Sequence, residues 1–164
     1  MGTIIAQEEL VKFLAKAHKE AAYGVFLKGI IYGNTVKKTF ELDNWVFENE
    51  HLNGNPMCGE ERVFYDGMMI WAMSYRVHYF TGSESGENLV KFCLRKAMAK
   101  MDKNCPLRGP EEYVTDDHLY RYENTYDGTI SDFTGEEKVF IGRQIGNKNE
   151  IYSMKYIGGL VLPR

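Results

Sequence analysis

Residues 59–75 read Gly-Glu-Glu-Arg-Val-Phe-Tyr-Asp-Gly-Met-Met-Ile-Trp-Ala-Met-Ser-Tyr, and this segment decides the fold. Aromatic and β-branched residues are frequent on both sides of its central Asp-Gly pair, as is typical of β-strands. Asp66 and Gly67 suit the two central positions of a type I′ turn, because both positions need a positive φ. The segment therefore predicts an antiparallel hairpin that turns at Asp66 and Gly67.

The hairpin belongs to a set of short segments that occur twice in the chain. Four matched pairs keep the same order along the sequence, which is hard to obtain by chance. The pairs are Leu10–Phe13 with Leu89–Phe92, Phe47–Asn49 with Tyr122–Asn124, Gly59–Phe64 with Gly135–Phe140, and Ile70–Tyr75 with Ile151–Tyr156. We therefore predict one domain over residues 1–164, built of two repeats near 1–82 and 83–164, with a longer loop around Gly142–Asn149 in the second.

Each half is predicted to begin with a helix, because its apolar residues recur at helical spacing. These residues are Leu10, Phe13, Leu14, Ala17 and Ala21 in the first half, and Val90, Leu94, Ala97, Met98 and Met101 in the second. Ser85 is the predicted cap of the second helix. About four strands follow each helix. The predicted fold class is thus α+β, an internally duplicated unit with helices packed on one face of a curved antiparallel sheet.

Composition excludes several classes of protein. The chain carries 20 Lys and Arg against 23 Asp and Glu, a net charge of −3. Without a basic block, nucleic acid is not an expected partner. No apolar run reaches the roughly 20 residues of a membrane span, and Met1–Gln7 lacks the features of a signal peptide, so we expect no membrane association and a cytoplasmic location. Three scattered cysteines predict reduced thiols.

Common catalytic and metal-binding motifs are missing from the sequence. It contains no phosphate-binding loop, no Gly-x-Ser-x-Gly, no His-Glu-x-x-His and no Cys-x-x-Cys. Its four histidines are dispersed, and His51 aligns with a tyrosine of the other repeat. We therefore expect no metal and no cofactor.

Regular pairing across the predicted hairpin places Val63 opposite Ile70 and Arg62 opposite Trp71. Side chains alternate between the two faces of a sheet. One face would then carry small and aliphatic residues, and we assign the helices to it. The other would carry bulky aromatic and charged residues. We expect that second face to hold a ligand.

The predicted ligand-binding residues come from both repeats. Four aromatic anchors are joined by amide and charged side chains at matching positions. They are Trp71, Tyr75, Tyr152, Tyr156, Asn49, Asn124, Arg62 and Glu60. The alternative interpretation is that the aromatic residues form a core, either between the sheet and the helices or between two sheets, as aromatic stripes in strands usually do.

Glu61 and Glu137 fall on the small apolar face, where an unpaired carboxylate would cost several kcal/mol. They are predicted to be buried, and Arg108 is a candidate partner. In one interpretation they tie a loop or a helix end to the sheet. In the other, this symmetric pair binds a ligand or transfers protons to it.

Three sequence features together resemble a bacterial domain family of unknown function. They are the segment Leu107–Tyr113, the paired Gly-Glu-Glu motifs at Gly59–Glu61 and Gly135–Glu137, and the segment Ile70–Tyr75. Some members of that family carry the domain behind an Xre-type helix-turn-helix domain. The resemblance implies a ligand-sensing or interaction module and supplies no catalytic residues. No helix-turn-helix pattern occurs within these 164 residues.

Three functions follow as hypotheses. The first is a binding domain for a small molecule or short peptide on the aromatic face. The second is a small enzyme that uses Glu61 or Glu137 as general acid or base. The third is a protein-interaction module, which includes a homodimer formed through a sheet edge or the aromatic face.

Overall fold

A computed structural model of the chain describes residues 6–23, 28–102, 104–142 and 149–161. Most of Met1–Gln7, and most of the predicted longer loop around Gly142–Asn149, lie outside the described residues. The hairpin predicted for residues 59–75 is present, with Asp66 and Gly67 at its turn and φ values of 47° and 76°.

The elements follow the predicted order of a helix and then strands, twice. The first group is α1 (Gln7–Tyr23), β1 (Lys28–Tyr32), β2 (Thr35–Leu42), β3 (Trp45–Leu52), β4 (Met57–Tyr65) and β5 (Met68–Tyr79). The second is α2 (Glu84–Met98), β6 (Glu112–Val114), β7 (Tyr120–Thr129), β8 (Asp132–Ile141) and β9 (Asn149–Leu160). The predicted α+β class with a curved antiparallel sheet is confirmed.

The strands of the described residues form one sheet in the order β1-β2-β3-β4-β5-β9-β8-β7-β6. The last strands of the two halves, β5 and β9, pair at its centre, where Tyr75 lies opposite Tyr156. The two halves therefore share one sheet, which the sequence did not decide. Its two edges are β1 and β6.

Both helices cover the same face of this sheet. Phe13 of α1 stacks on Phe40 and Trp45, and α2 contacts β7 and β8. We call this surface the helix face, and the core lies between it and the helices. The opposite surface, called the open face, carries the charged residues Lys37, Glu48, Glu60, Arg62 and Lys138.

The first hairpin contains a β-bulge that regular pairing does not anticipate. Val63 lies opposite Trp71 and Phe64 opposite Met69, so Ile70 is an extra residue in β5. The predicted pairing of Val63 with Ile70 is wrong. A bulge places two residues of one strand opposite one residue of the other and turns the following side chains to the other face.

The second half contains the same irregularity. The register between β8 and β9 slips between Val139 and Phe140, so Val139 lies opposite Tyr152 and Ile151 is the extra residue. The two bulges therefore lie at matched positions.

The bulges overturn the predicted faces of β5 and β9. Glu61, Val63, Glu137 and Val139 lie on the helix face as predicted. The bulky residues of the neighbouring strands lie there too, buried under the helices, and not on the open face. They are Trp71, Met73, Tyr75, Tyr152, Met154 and Tyr156.

The second helix begins earlier than its predicted cap. α2 starts at Glu84, and the hydroxyl of Ser83 accepts a hydrogen bond from Gly86 N at 3.2 Å. Ser83, not Ser85, is therefore the N-cap, because its side chain reaches a backbone N–H that has no partner within the first turn.

Candidate functional site

Arg108 lies between the two buried glutamates of the helix face. Its Nε and Nη2 donate to Glu137 Oε2 and Oε1, and its Nη1 donates to Glu61 Oε1, each at 3.2 Å. Burial alone would lower the pKa of Arg108, but the charges of Glu137 and Glu61 raise it well above its ordinary value. The predicted partnership of Arg108 with these carboxylates is confirmed.

The carboxylate of Glu137 has every hydrogen-bonding position occupied. Besides the two bonds from Arg108, Tyr122 OH donates to Oε2 at 2.7 Å and Tyr152 OH donates to Oε1 at 3.0 Å. Four bonds use all of the lone pairs that a carboxylate offers. Glu137 is 0% exposed, so neither solvent nor a ligand reaches this group.

Glu61 has a different set of partners. His18 Nε2 lies 2.7 Å from Oε2, and Asn49 Nδ2 donates to Oε1 at a longer 3.3 Å. Burial would raise the pKa of Glu61, but His18 and Arg108 outweigh it and hold the pKa below its ordinary value. His18 Nδ1 has no hydrogen-bond partner among the described residues.

Arg108 reaches the glutamates because the chain between α2 and β6 turns sharply onto the helix face. Arg108 itself has a φ of 68°, in the left-handed region that few residues adopt. Asn124 Nδ2 donates to the carbonyls of Leu107 and Gly109, at 2.8 and 3.1 Å. Gly109 N also donates to Tyr122 OH at 3.0 Å. Three hydrogen bonds thus hold the loop Leu107–Gly109 against β7.

The first half contains the same pair of side chains as the second. Tyr75 OH donates to Asn49 Oδ1 at 2.8 Å, and Tyr156 OH donates to Asn124 Oδ1 at 2.6 Å. In each half the Asn lies opposite the glutamate in the strand register. A matched glycine makes room for each tyrosine, because a Cβ at Gly59 or Gly135 would collide with the phenol.

A cavity of about 240 Å³ opens on the helix face beside Asn49 and Tyr75. Its polar wall contains groups of the network already described, and its apolar wall comes from α2 and the strands. The polar residues are His18, Lys38, Asn49, His51, Glu61, Arg95 and Arg108, and the apolar ones include Phe47, Met57, Val77, Leu94, Met98 and Met154.

The rim of this cavity carries an excess of positive charge. Lys38 and Arg95 are exposed side chains, and neither forms an ion pair with an acidic residue in the described part of the chain. Burial and the nearby charge of Lys38 lower the pKa of His51. Glu61 shares the positive charge of Arg108 with Glu137, so Arg108 offsets the charge of Glu61 only in part.

The eight residues predicted to bind a ligand do not form one site. Asn49, Tyr75 and Tyr152 line the cavity. Arg62 and Glu60 lie on the open face, where Arg62 contacts Glu48, Glu50 and Glu60. The alternation of side chains along β4 separates them from Glu61 on the helix face.

Trp71, Tyr156 and Asn124 lie away from the cavity. Trp71 is 1% exposed, stacks on Phe133 and donates from its indole to the carbonyl of Ile130 at 3.2 Å. Asn124 is hydrogen-bonded to the loop Leu107–Gly109, and Tyr156 is buried against Asn124 and Phe133. Trp71 therefore lies in an aromatic core, as in the alternative interpretation.

His18, Lys38 and Arg95 line the cavity but were not predicted. His18 lies eight residues after Leu10, on the buried stripe of α1, and a polar residue on that stripe was the available signal. Nothing in the local sequence marks Lys38 or Arg95, because β2 and α2 meet at the cavity only in the folded chain.

The described residues contain neither a metal-ligand cluster nor a membrane-spanning helix. No group of three or more His, Cys, Asp or Glu side chains is arranged to hold a metal ion within the described ranges. No helix in them has the length and apolar character needed to cross a bilayer.

Comparison with known proteins returns one finding. A family model described as a domain of unknown function (DUF5680) matches residues 49–161, from the middle of β3 to the end of β9. The match includes Asn49, Glu61, Arg108, Asn124 and Glu137. Neither the curated proteins nor the solved structures contain a match.

Proposed function

The chain belongs to the DUF5680 family of domains of unknown function, and from that premise we propose that it is a binding domain which holds a small molecule on its helix face. The observation that carries the proposal is the cavity of about 240 Å³ beside Asn49 and Tyr75. It combines apolar walls with a few convergent polar groups, which is typical of ligand sites. Its volume lies below the about 300–1,000 Å³ of drug-sized pockets, so the ligand is a small metabolite.

The polar groups of the cavity are held in fixed positions, which favours binding. Tyr75 orients Asn49, and Glu61 orients His18, each through a hydrogen bond of 2.8 Å or less. Side chains fixed before the ligand arrives lose little conformational entropy on binding. The network therefore supports recognition of a defined ligand.

The same network does not favour acid–base catalysis by the two glutamates. A general acid or base at neutral pH needs a pKa near 7, but the pKa of Glu61 lies below its ordinary value. Glu137 is shielded from solvent and fully hydrogen-bonded. We therefore assign both carboxylates to holding the loop Leu107–Gly109 and the polar wall of the cavity in place.

The first experiment measures the melting temperature of the full chain against a library of small metabolites. Compounds that bind the folded state raise the melting temperature. Ala21→Phe, which places a ring into the cavity from α1, should abolish the shifts. Lys16→Phe adds the same ring on the exposed side of α1 and should preserve them. Shifts that survive in Ala21→Phe, or a library without any active compound, would contradict the proposal.

A second candidate function is self-association through β1. This strand is an edge of the sheet, and Ile30 and Ile31 are 59% and 74% exposed. Exposed edge strands with apolar side chains can pair with a second copy. Light scattering should then report a dimer that Ile31→Lys converts to a monomer, and a monomeric parent chain would contradict it. The bacterial source, the Xre fusion and the cytoplasmic location stay predictions.

A further inference from the structure

We infer that the cavity takes a small acylated amino acid, with its acyl carbonyl on Asn49, its carboxylate at Lys38 and Arg95, and its apolar side chain against β5 and α2. This inference rests on the proposed function and names the chemical class of its ligand. The residue that matches Asn49 in the second half is Asn124, and the chain itself shows what Asn124 binds.

In the second half, Asn124 binds backbone carbonyls. Both hydrogens of its Nδ2 are used, one by the carbonyl of Leu107 and one by that of Gly109. Its Oδ1 accepts a bond from Tyr156, which sets the orientation of the amide. The loop Leu107–Gly109 is therefore an internal peptide ligand of this Asn–Tyr pair.

In the first half, the same pair lacks such an occupant in the described part of the chain. Asn49 is oriented by Tyr75 as Asn124 is by Tyr156, yet its Nδ2 makes only the 3.3 Å bond to Glu61. One of its two amide hydrogens is thus free at the wall of the cavity. By analogy with Asn124, that hydrogen suits a carbonyl oxygen of amide type.

The positive charge at the rim favours a ligand that carries an anionic group next to that carbonyl. Lys38 lies directly opposite Asn49 in the register of β2 and β3. Cross-strand neighbours have Cβ atoms about 5 Å apart. The long side chain of Lys38 can therefore bring its ammonium group to a carboxylate held next to Asn49. Arg95 offers a second positive charge from α2.

The remaining wall of the cavity is apolar and favours an aliphatic side chain on the ligand. Its lining residues include Met57, Val77, Leu94 and Phe47. An aliphatic side chain buried there gains the hydrophobic contribution that the polar contacts do not supply. N-acetyl-leucine combines all three groups and is the simplest probe.

The closing experiment compares three probes by calorimetric titration of the full chain. N-acetyl-leucine carries both polar groups, N-acetyl-leucine amide lacks the carboxylate, and 4-methylpentanoate lacks the amide. We expect each incomplete probe to bind about fivefold to tenfold more weakly, as expected for one lost hydrogen bond or ion pair. Lys38→Met should reduce the preference for the acid over the amide, because Arg95 alone then faces the carboxylate. Lys96→Met, on α2 and outside the lining of the cavity, should leave that preference unchanged.

A second measurement follows the side-chain amide signals of the two asparagines by NMR. N-acetyl-leucine should shift the Nδ2 resonances of Asn49 and leave those of the buried Asn124 unchanged. Equal binding of the three probes, or an unchanged Asn49 signal, would overturn the inference. Library compounds that Ala21→Phe excludes would in that case still support the proposed function. If no compound binds in a manner that Ala21→Phe blocks, both fail.

Discussion

The two halves of the helix face contain the same side chains and use them differently. Glu61 and Glu137, Asn49 and Asn124, and Tyr75 and Tyr156 occupy matched positions. In the second half a loop of the chain covers them, and in the first half they border a cavity.

Local differences in the side chains around the two glutamates account for this contrast. Tyr122 supplies a hydroxyl to Glu137 and to Gly109 N, whereas the matched residue beside Glu61 is Phe47, which has none. His18 takes the corresponding place next to Glu61. The position matched to Tyr152 is Trp71, whose indole donates to Ile130 and not to Glu61. One framework can therefore be closed or open, depending on the hydroxyls that reach the glutamate and on one loop. We propose that the framework arose by duplication of the predicted repeats.

The largest expected effect comes from the group that the halves share. Arg108→Met leaves two buried carboxylates without their cation and should lower the free energy of unfolding by about 3–5 kcal/mol. Chemical denaturation at neutral pH measures the loss. Arg76→Met, at an exposed position of β5, is the matched control and should change little. Similar losses in the two variants would show that the shared cation does not hold the halves together.

The two glutamates should differ in the next experiment. Glu137→Gln disturbs four hydrogen bonds in a fully buried site and should cost about 2–4 kcal/mol, against about 1–2 kcal/mol for Glu61→Gln. The same denaturation assay gives both values. An equal or reversed order would remove the distinction between a closed and an open half.

Removing one of the hydroxyls that distinguish the halves tests the closed site directly. Tyr122→Phe should cost about 1–2 kcal/mol, because Glu137 and Gly109 each lose a partner. Hydrogen exchange of the Gly109 amide should become faster. Tyr126→Phe, on an exposed part of β7, is the control for loss of a phenol. A Gly109 amide as protected as in the parent chain would contradict the assigned role of Tyr122.

Acid should weaken the first half through Glu61. Its pKa in the folded chain lies below the ordinary value of 4.5, so folding favours the ionised form. The stability that Glu61 contributes is therefore fully present above pH 4.5 and is lost as the pH falls through the lower folded pKa. Melting temperatures between pH 7 and 3 should fall less steeply in Glu61→Gln than in the parent. Parallel curves would show that Glu61 does not contribute to the acid response.

The smallest effects are expected on the open face, where the halves also match. Arg62→Gln and Lys138→Gln remove partly exposed cations from ion pairs with neighbouring glutamates. Each should change the free energy of unfolding by less than about 1 kcal/mol and leave ligand-induced melting shifts unaltered. A loss of the ligand-induced melting shift in Arg62→Gln would show that the ligand binds on the open face.

Much of the site could be predicted because it follows from alternation along single strands. Glu61 and Glu137 were placed on the helix face by their spacing from Val63 and Val139, and burial then required a cation such as Arg108. The positions of Trp71 and Tyr152 could not be obtained in this way. An inserted bulge residue leaves no mark on the hydrophobic pattern, yet it reverses the faces of the rest of the strand.

By itself, the sequence determined the order of helices and strands, the turn at Asp66 and Gly67, and the burial of Glu61 and Glu137. These features depend on residues close together in the chain, whose periodicity and turn chemistry act locally. Only the tertiary structure decided that β5 and β9 join the halves, that Leu107–Gly109 covers Asn124, and that Asn49 borders a cavity. Each of these depends on contacts between segments far apart in sequence, which become neighbours only when the whole sheet has formed.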